Sequence, residues 1–457
     1  MLRKLRALPV VIFLLCFCQL TSTAAEAPPF NPPFNLDGYW EGFVERQGAK
    51  LGIKVEFKTA SDVVKAVIDI PDLYIQGYKL TNVRCESSSV RFELPLSREP
   101  DKFDGEFKGE FIEGTYSGRF YQTEALSAHF ILWRLKKKTL PYKQEEVSFQ
   151  NGEVKLAGTV FTPLKKGPHP AVVLFHGSGP QTRDSYLRFF ADLFARRGVA
   201  TLIFDKRGAG DSTKEIQNKG GDGFNELVDD ALAGVRMLLE RQDIDRRKIG
   251  VWGLSQGGWL SPMAAAKSKQ IAFLMIVSGG GVTPAEQEYY DDEVKLRDRG
   301  FPENEITEAV ALLKLADEVI RKRETWEKFA QARTAAQQKP WFQLLDFYPV
   351  KLPRQAPVWQ APDPDLDFDP RPLWEQLKLP VLAIFGEADK LTPSAESARR
   401  IDLTLRKGGN PDYTIKIFPN AGHGMWVSPV KDDKWDWDRP APGWLDLMVG
   451  WLQKHTK

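Results

Sequence analysis

Three short stretches of this chain carry residue types that can transfer an acyl group. Gly253-Leu254-Ser255-Gln256-Gly257 sets a serine between two glycines, Gly386-Glu387-Ala388-Asp389 offers a carboxylate, and Asn420-Ala421-Gly422-His423-Gly424 offers an imidazole. A serine hydroxyl is a poor nucleophile until a base removes its proton. An imidazole serves as that base when a carboxylate holds its second ring nitrogen, fixing the tautomer and stabilising the imidazolium that forms. Each stretch follows an apolar run that reads as a β-strand, so nucleophile, acid and base all fall at strand ends in the order Ser, Asp, His.

The residues around each group support these roles. Glycines two positions either side of Ser255 permit a tight strand-to-helix turn, which would lift the hydroxyl clear of the sheet at a helix N-terminus. Beyond the N-terminal segment the histidines are His129, His169, His176, His423 and His455. His129 belongs to an alternating β region, His169 precedes the first buried strand and His455 stands in the terminal tail, whereas His423 lies in a Gly-flanked loop with room for an imidazole to turn. Asp389 is the expected orienting acid, with Glu387 its competitor. His176-Gly177-Ser178-Gly179-Pro180 follows the first buried run, and tight backbone there can aim an N–H at an oxyanion beside the N–H of Gln256. Either Gly177 or Ser178 can supply that donor, and Ser178 is preferred. Asp205-Lys206-Arg207-Gly208-Ala209-Gly210-Asp211-Ser212 reads as a structural turn without chemistry. No Cys/His cluster suggests a metal site, no G-K-[ST] or ribose-binding acid suggests a nucleotide, and no cofactor is expected.

The elements that must position these groups change character along the chain. From Leu36 to about Leu135 the pattern has period two: Leu51, Ile53, Val55 and Phe57 alternate with polar residues, as do Val64, Ala66, Ile68 and Ile70, and Val90, Phe92, Leu94 and Leu96. Gly105, Gly109, Gly114 and Gly118 punctuate it. This predicts a small antiparallel β-barrel or sandwich, with Trp40 plugging one end. Lys136 to Tyr142 is a basic joint, and Val147 to Phe161 reads as a hairpin around Asn151-Gly152. Beyond it, continuous apolar runs at 171–175, 200–204, 249–253, 272–277 and 381–385 suit strands buried on both faces, with helices near 184–197, 223–241, 256–268 and 394–406. That alternation implies a mostly parallel sheet with right-handed crossovers. About 100 residues separate the runs ending at Val277 and starting at Val381, and an insertion there would lie over the strand C-termini, where ligands bind in open α/β sheets. It reads as a helical cap, with Ile306, Val310 and Leu313 on one helix face. Trp435, Trp437 and Trp444 follow His423, with packing as their default role and an acyl pocket as the alternative.

The N-terminus reads as a secretory signal peptide. Arg3, Lys4 and Arg6 precede an apolar run from Ala7 to Leu20, and small residues follow, with cleavage after Ala25 or Ala27. The run, about 14 residues, is short of the roughly 20 needed to span a bilayer, so no stable membrane insertion is expected after cleavage. Removing residues 1–27 takes away three basic and one acidic side chain, which cancels the chain's net charge of +2. A neutral mature chain offers no electrostatic case for nucleic acid or an anionic surface. Cys85 is then the single remaining thiol and cannot form an intrachain disulfide. The expected division is signal peptide 1–27, Pro-rich linker 28–35, β domain 36–140, and an α/β domain 141–457 with its cap at about 282–378.

Taken together, H-G-S-G-P, D-x-R-G-x-G-x-S, G-L-S-Q-G-G, G-x-x-D-x-x-x-P and A-G-H-G over about residues 145–457 resemble the α/β-hydrolase superfamily. Within it the chain is similar to the dienelactone hydrolase and prolyl-oligopeptidase-like branch, especially exported bacterial esterases with an N-terminal β domain. The segment before residue 140 is too short for the seven-bladed propeller of true prolyl oligopeptidases. The resemblance implies an α/β-hydrolase fold, helices on both faces of the sheet, a cofactor-free acyl-enzyme mechanism, and Ser255, Asp389 and His423 as its triad. The expected activity is hydrolysis of small or medium acyl esters by an exported carboxylesterase. Alternatives are an aminopeptidase or dipeptidase, an acyltransferase or thioesterase, and an inert lipid- or carbohydrate-binding protein. Oligomeric state is not legible.

Overall fold

Period-two alternation builds the first sheet. In the computed structural model, residues 35–457 are described except 61–62, 87, 96–105, 113–114, 124–125, 137–138, 185, 214–222, 346–347, 360–364 and 431–436. The signal-peptide segment, most of the Pro-rich linker, Leu96, Gly105, Gly114 and Trp435 therefore lie outside the described residues. Nine antiparallel strands follow one another: β1 (Gly38–Arg46), β2 (Ala49–Ala60), β3 (Val63–Ile70), β4 (Ile75–Lys79), β5 (Thr81–Glu86), β6 (Ser89–Glu93), β7 (Glu106–Ile112), β8 (Thr115–Thr123) and β9 (Leu126–Leu135). Their order is β4-β3-β2-β1-β9-β8-β7-β6-β5, a meander curled into a near-barrel that brings β5 back beside β3. Leu51, Ile53, Val55 and Phe57 all point inward, and Trp40 is fully buried with its Nε1 donating to Leu36 O at 3.0 Å.

Continuous apolar runs build the second sheet. Its strands are β10 (Tyr142–Asn151), β11 (Val154–Pro163), β12 (His169–Phe175), β13 (Ala200–Phe204), β14 (Ile244–Leu254), β15 (Ile271–Val277), β16 (Val381–Gly386) and β17 (Tyr413–Phe418). The order is β10-β11-β13-β12-β14-β15-β16-β17. The hairpin β10–β11 is antiparallel and pairs antiparallel with β13, and every later pairing is parallel. Helices α1 (Leu187–Ala195), α2 (Phe224–Glu240) and α3 (Gly257–Lys267) precede the insertion, whose helices are α4 (Pro284–Asp298), α5 (Glu303–Ile320), α6 (Trp326–Ala336) and α7 (Arg371–Gln376). Helices α8 (Ser394–Gly408) and α9 (Trp444–Thr456) complete the chain. Side chains of α1 and α9 pack on one face of the sheet and those of α2, α3 and α8 on the other, so the strands are buried on both sides. His455, expected in a terminal tail, lies on α9 and contacts Asp412 Oδ2 at 3.0 Å. Among the described residues, no helix is long and apolar enough to cross a membrane.

The insertion has its own core, in which Ile306 and Leu313 of α5 are buried and Val310 packs at its margin. A reciprocal cap starts α4: Glu286 N donates to Thr283 Oγ1 at 3.2 Å and Thr283 N donates to Glu286 Oε2 at 2.9 Å. The same Glu286 carboxylate takes two bonds from Arg400 of α8, at 2.8 and 2.9 Å, which ties the insertion to the sheet domain. Between α4 and α5 the carboxyl of Asp317 is fully buried, accepting from the Tyr289 hydroxyl with Arg321 Nη2 3.8 Å away. Burial pushes this carboxyl up to about 6, against the opposing pull of Tyr289 and Arg321 and with Asp367 and Glu318 adding to the rise. A carboxyl raised in the folded state stabilises fully below the ordinary carboxylate range, and that contribution is lost as pH climbs through about 6. Asp317→Asn should therefore narrow the difference in thermal midpoint between pH 5 and pH 8. An unchanged difference in scanning calorimetry would refute this.

One side chain joins the two sheets. Tyr74, at the end of a short 3₁₀ turn after β3, has φ 54° and is buried. Its ring lies 5.0 Å from Phe189 and 5.6 Å from Phe190 on α1, 5.8 Å from Trp444 on α9 and 4.0 Å from Trp426. Trp444 Nε1 donates to its hydroxyl at 2.7 Å. Emptying such a site costs about 3–5 kcal/mol for a large aromatic, whereas loss of one neutral hydrogen bond costs about 1 kcal/mol. Tyr74→Ala should thus lower the denaturation midpoint far more than Tyr74→Phe. Equal midpoints for the two variants would show that the ring is not the anchor.

Candidate active site

The turn between β14 and α3 holds Ser255 at φ 57°, a left-handed conformation that few non-glycine residues adopt. Neighbouring backbone leaves the turn little freedom. Ser255 N donates to Val277 O at 2.9 Å, and Gly258 N donates to Ser255 O at 2.7 Å. A Cβ on Gly253 would stand 2.3 Å from Gly257 O, and one on Gly279 would stand 2.2 Å from Ser255 O. Glycine at these positions is what allows strand, helix and the turn after β15 to close around Ser255.

The loops that hold Asp389 and His423 follow β16 and β17, the two strands beyond β15. Asp389 is buried in the loop between β16 and α8, and its Oδ1 accepts from Leu391 N and Thr392 N, both at 2.9 Å. Its Oδ2 lies 2.9 Å from Nδ1 of His423, whose loop follows β17. With Oδ1 committed to two N–H donors, the geometry suits Nδ1–H of His423 donating to Oδ2. The other ring nitrogen, Nε2, is then left as the acceptor. The loops are stitched together by Ala388 N to Ala421 O at 2.9 Å, and the His423 turn closes through Gly422 N to Trp426 O at 2.7 Å. Thr392 Oγ1 contacts Ser278 O at 3.3 Å, Gln287 Oε1 of α4 at 3.0 Å and His423 Nδ1 at 3.4 Å. Tyr290 of α4 donates to Asp389 O at 2.9 Å. The insertion therefore rests directly on the acid loop. Glu387 is exposed and accepts from Asn420 N at 3.2 Å, away from the His423 ring.

The loop after β12 faces Ser255 from the other side, where a Cβ on Gly177 would come within 3.7 Å of Ser255 Cβ. His176 is fully enclosed, and its Nε2 contacts Phe204 O at 2.5 Å. Burial drives its pKa down to about 3, so the ring stays neutral and acts as an anchor for the loop. Gly177 N already donates to the Tyr186 hydroxyl at 3.1 Å and Gln181 Oε1 at 3.3 Å. Ser178 N–H has no partner among the described residues, while Ser178 O accepts from Gln181 Nε2 at 3.0 Å. Gln256, the second expected donor, caps the N-terminus of α3.

Sequence reasoning missed Lys206. In the run read as a turn without chemistry, Asp205 fixes the loop through Arg183 N and Asp211 N, both at 2.8 Å. Lys206, buried at 5% exposure, sends Nζ to Gly177 O at 3.3 Å, Gly179 O at 3.1 Å and Gln256 Oε1 at 2.8 Å. A lysine two residues after a fully buried strand was the available signal. Trp444 packs against Tyr74, and Trp437 lies half-buried against the first sheet's core with Arg46 over its ring at 5.1 Å, so both serve packing. Among the described residues, no three His, Cys, Asp or Glu side chains gather as metal ligands do.

Residues 172–432, more than half of the chain, match the model of the alpha/beta hydrolase family. The chain belongs to that family. It is 25% identical to the esterase EstD of Thermotoga maritima over 326 residues, covering 68% of this chain and 67% of that protein. It is 30% identical to the quorum-quenching protein AidA of Acinetobacter baumannii over 133 residues, covering 29% of this chain and 43% of that protein. Among solved structures, an esterase of Pyrococcus furiosus aligns with a TM-score of 0.41 at 18% identity, covering 63% of this chain and 87% of that one. The membership rests on the family match, and the alpha/beta hydrolase fold is the one described above.

Proposed function

We propose that this alpha/beta hydrolase is an exported serine esterase that works through an acyl-enzyme. The observation that carries the reading is the Asp389–His423 pair at 2.9 Å, on the same sheet as a serine held at φ 57° on a strand-to-helix turn. Ser255 Oγ attacks the ester carbonyl while His423 Nε2 takes its proton. The negative charge developing on the carbonyl oxygen is received by the N–H groups of Ser178 and Gln256 at the start of α3, where the helix dipole also favours it. His423 then returns the proton to the departing alcohol, and water repeats the cycle to release the acid. The half-buried Ser255 and the partly exposed His423 leave the reacting atoms open to a small substrate. Export is supported by the basic, apolar and small-residue pattern of residues 1–27.

The test is a substrate panel on the purified protein, comparing acyl esters, thioesters and aminoacyl amides, alongside labelling by a fluorophosphonate. Ester turnover with the label on Ser255 is the expected result. Absence of both turnover and label would leave an inert binding protein.

A further inference from the structure

We infer that Lys206 is a positioning residue for the oxyanion hole, an inference that rests on the esterase reading above. Its Nζ contacts with described residues number three, as many as an ammonium group has donors. Two go to the loop after β12 and the third to the side chain of Gln256, so one buried cation joins the two segments that carry the donor amides.

The peptide geometry makes this contact directional. Gly177 C=O and Ser178 N–H belong to one planar peptide, and the only cis bond among the described residues is Gly167–Pro168. In a trans peptide the C=O and N–H vectors are opposed. By holding Gly177 O, Lys206 turns the Ser178 N–H away from itself. The same charge polarises that peptide and strengthens its N–H as a donor. Of the remaining polar groups, Gly177 N goes to Tyr186 and Gln181, Ser178 O goes to Gln181, and Gly179 O goes to Lys206. Lys206 N also donates to Gln181 O at 3.0 Å, which clamps the far end of the loop to the strand end. The Ser178 N–H is thus aimed by fixing its surroundings, and Gln256 is braced through its side chain while its backbone N–H serves the reaction.

A residue acting this way affects the transition state more than substrate binding. Lys206→Met should lower kcat by about 10²-fold, comparable to loss of one oxyanion donor, with KM changed less than about threefold. The affinity of a trifluoromethyl ketone, whose adduct carries the oxyanion, should fall by the same factor as kcat. Lys206→Arg, which keeps the charge, should recover part of the loss. A kcat within about threefold of wild type would overturn the assignment, as would a loss of kcat with the ketone affinity unchanged. If Lys206→Met does not fold, Lys206→Gln is read by the same two constants. Wild-type protein with neither ester turnover nor label on Ser255 would overturn the esterase reading and the Lys206 role together. An active wild type with an unaffected Lys206 variant would overturn the Lys206 role alone.

Discussion

Ser255→Ala should abolish ester turnover, a loss on the order of 10⁶-fold in kcat if nucleophile and base act as a unit. The fold should survive, because Ser255 is half-buried and its backbone bonds to Val277 and Gly258 do not involve the side chain. The same position makes a sharper, opposite-signed prediction. A non-glycine residue at φ 57° bears backbone strain of roughly 1 kcal/mol or more. Ser255→Gly should therefore be equally inactive yet more stable than Ser255→Ala. Thermal midpoints of the two variants together with their rates test both halves. Turnover near wild type in either variant removes Ser255 from the mechanism.

Asp389→Asn should cost about 10⁴-fold in kcat, the scale seen when a triad acid loses its charge but keeps its shape. The hydrogen bonds explain why so small a change matters. Leu391 N–H and Thr392 N–H both require an acceptor, and they take Oδ1. An asparagine would keep its oxygen there and turn its NH₂ toward His423 Nδ1. That nitrogen would have to accept, and the proton would move to Nε2, the atom that must be bare to receive the proton of Ser255. Substrate binding should change little, so the loss should fall on kcat rather than KM. Glu387→Gln is the control, because Glu387 faces Asn420 N and should lose almost nothing. A reversal of these two results would reassign the acid.

Much of this site was legible because its chemistry sits in short local patterns. Ser255, Asp389 and His423 each follow a strand with an apolar run, and the structure places those strands in one sheet with one further strand, β15, between the first two. Of the glycines flanking Ser255, Gly253 is required by the 2.3 Å backbone contact that a Cβ there would make. The β/α alternation was readable for the same reason, since strands covered on both faces tolerate few polar residues. What escaped has a common cause. Lys206 finds its partners 27 to 50 residues away, two of them main-chain carbonyls, and a carbonyl is the same in every residue. Gly177 against Ser178 was left open because the choice depends on which N–H is already occupied. The tryptophans after His423 suggested either a pocket or packing, and only their partner decides for Trp444. That partner is Tyr74, 370 residues earlier.

Tyr74 also changes what the first sheet means for the enzyme. Its ring packs against Trp426, three residues beyond His423, and its hydroxyl accepts from Trp444, so the aromatic socket it fills draws one wall from the loop that carries His423. A hydrolase unit produced without residues 36–140 would expose that socket to water and leave the histidine loop without its backing. The boundary near residue 140 is a seam in composition that the contacts of Tyr74 cross. Anyone recombining such modules, in the laboratory or by gene fusion, would have to transfer the tyrosine with its socket.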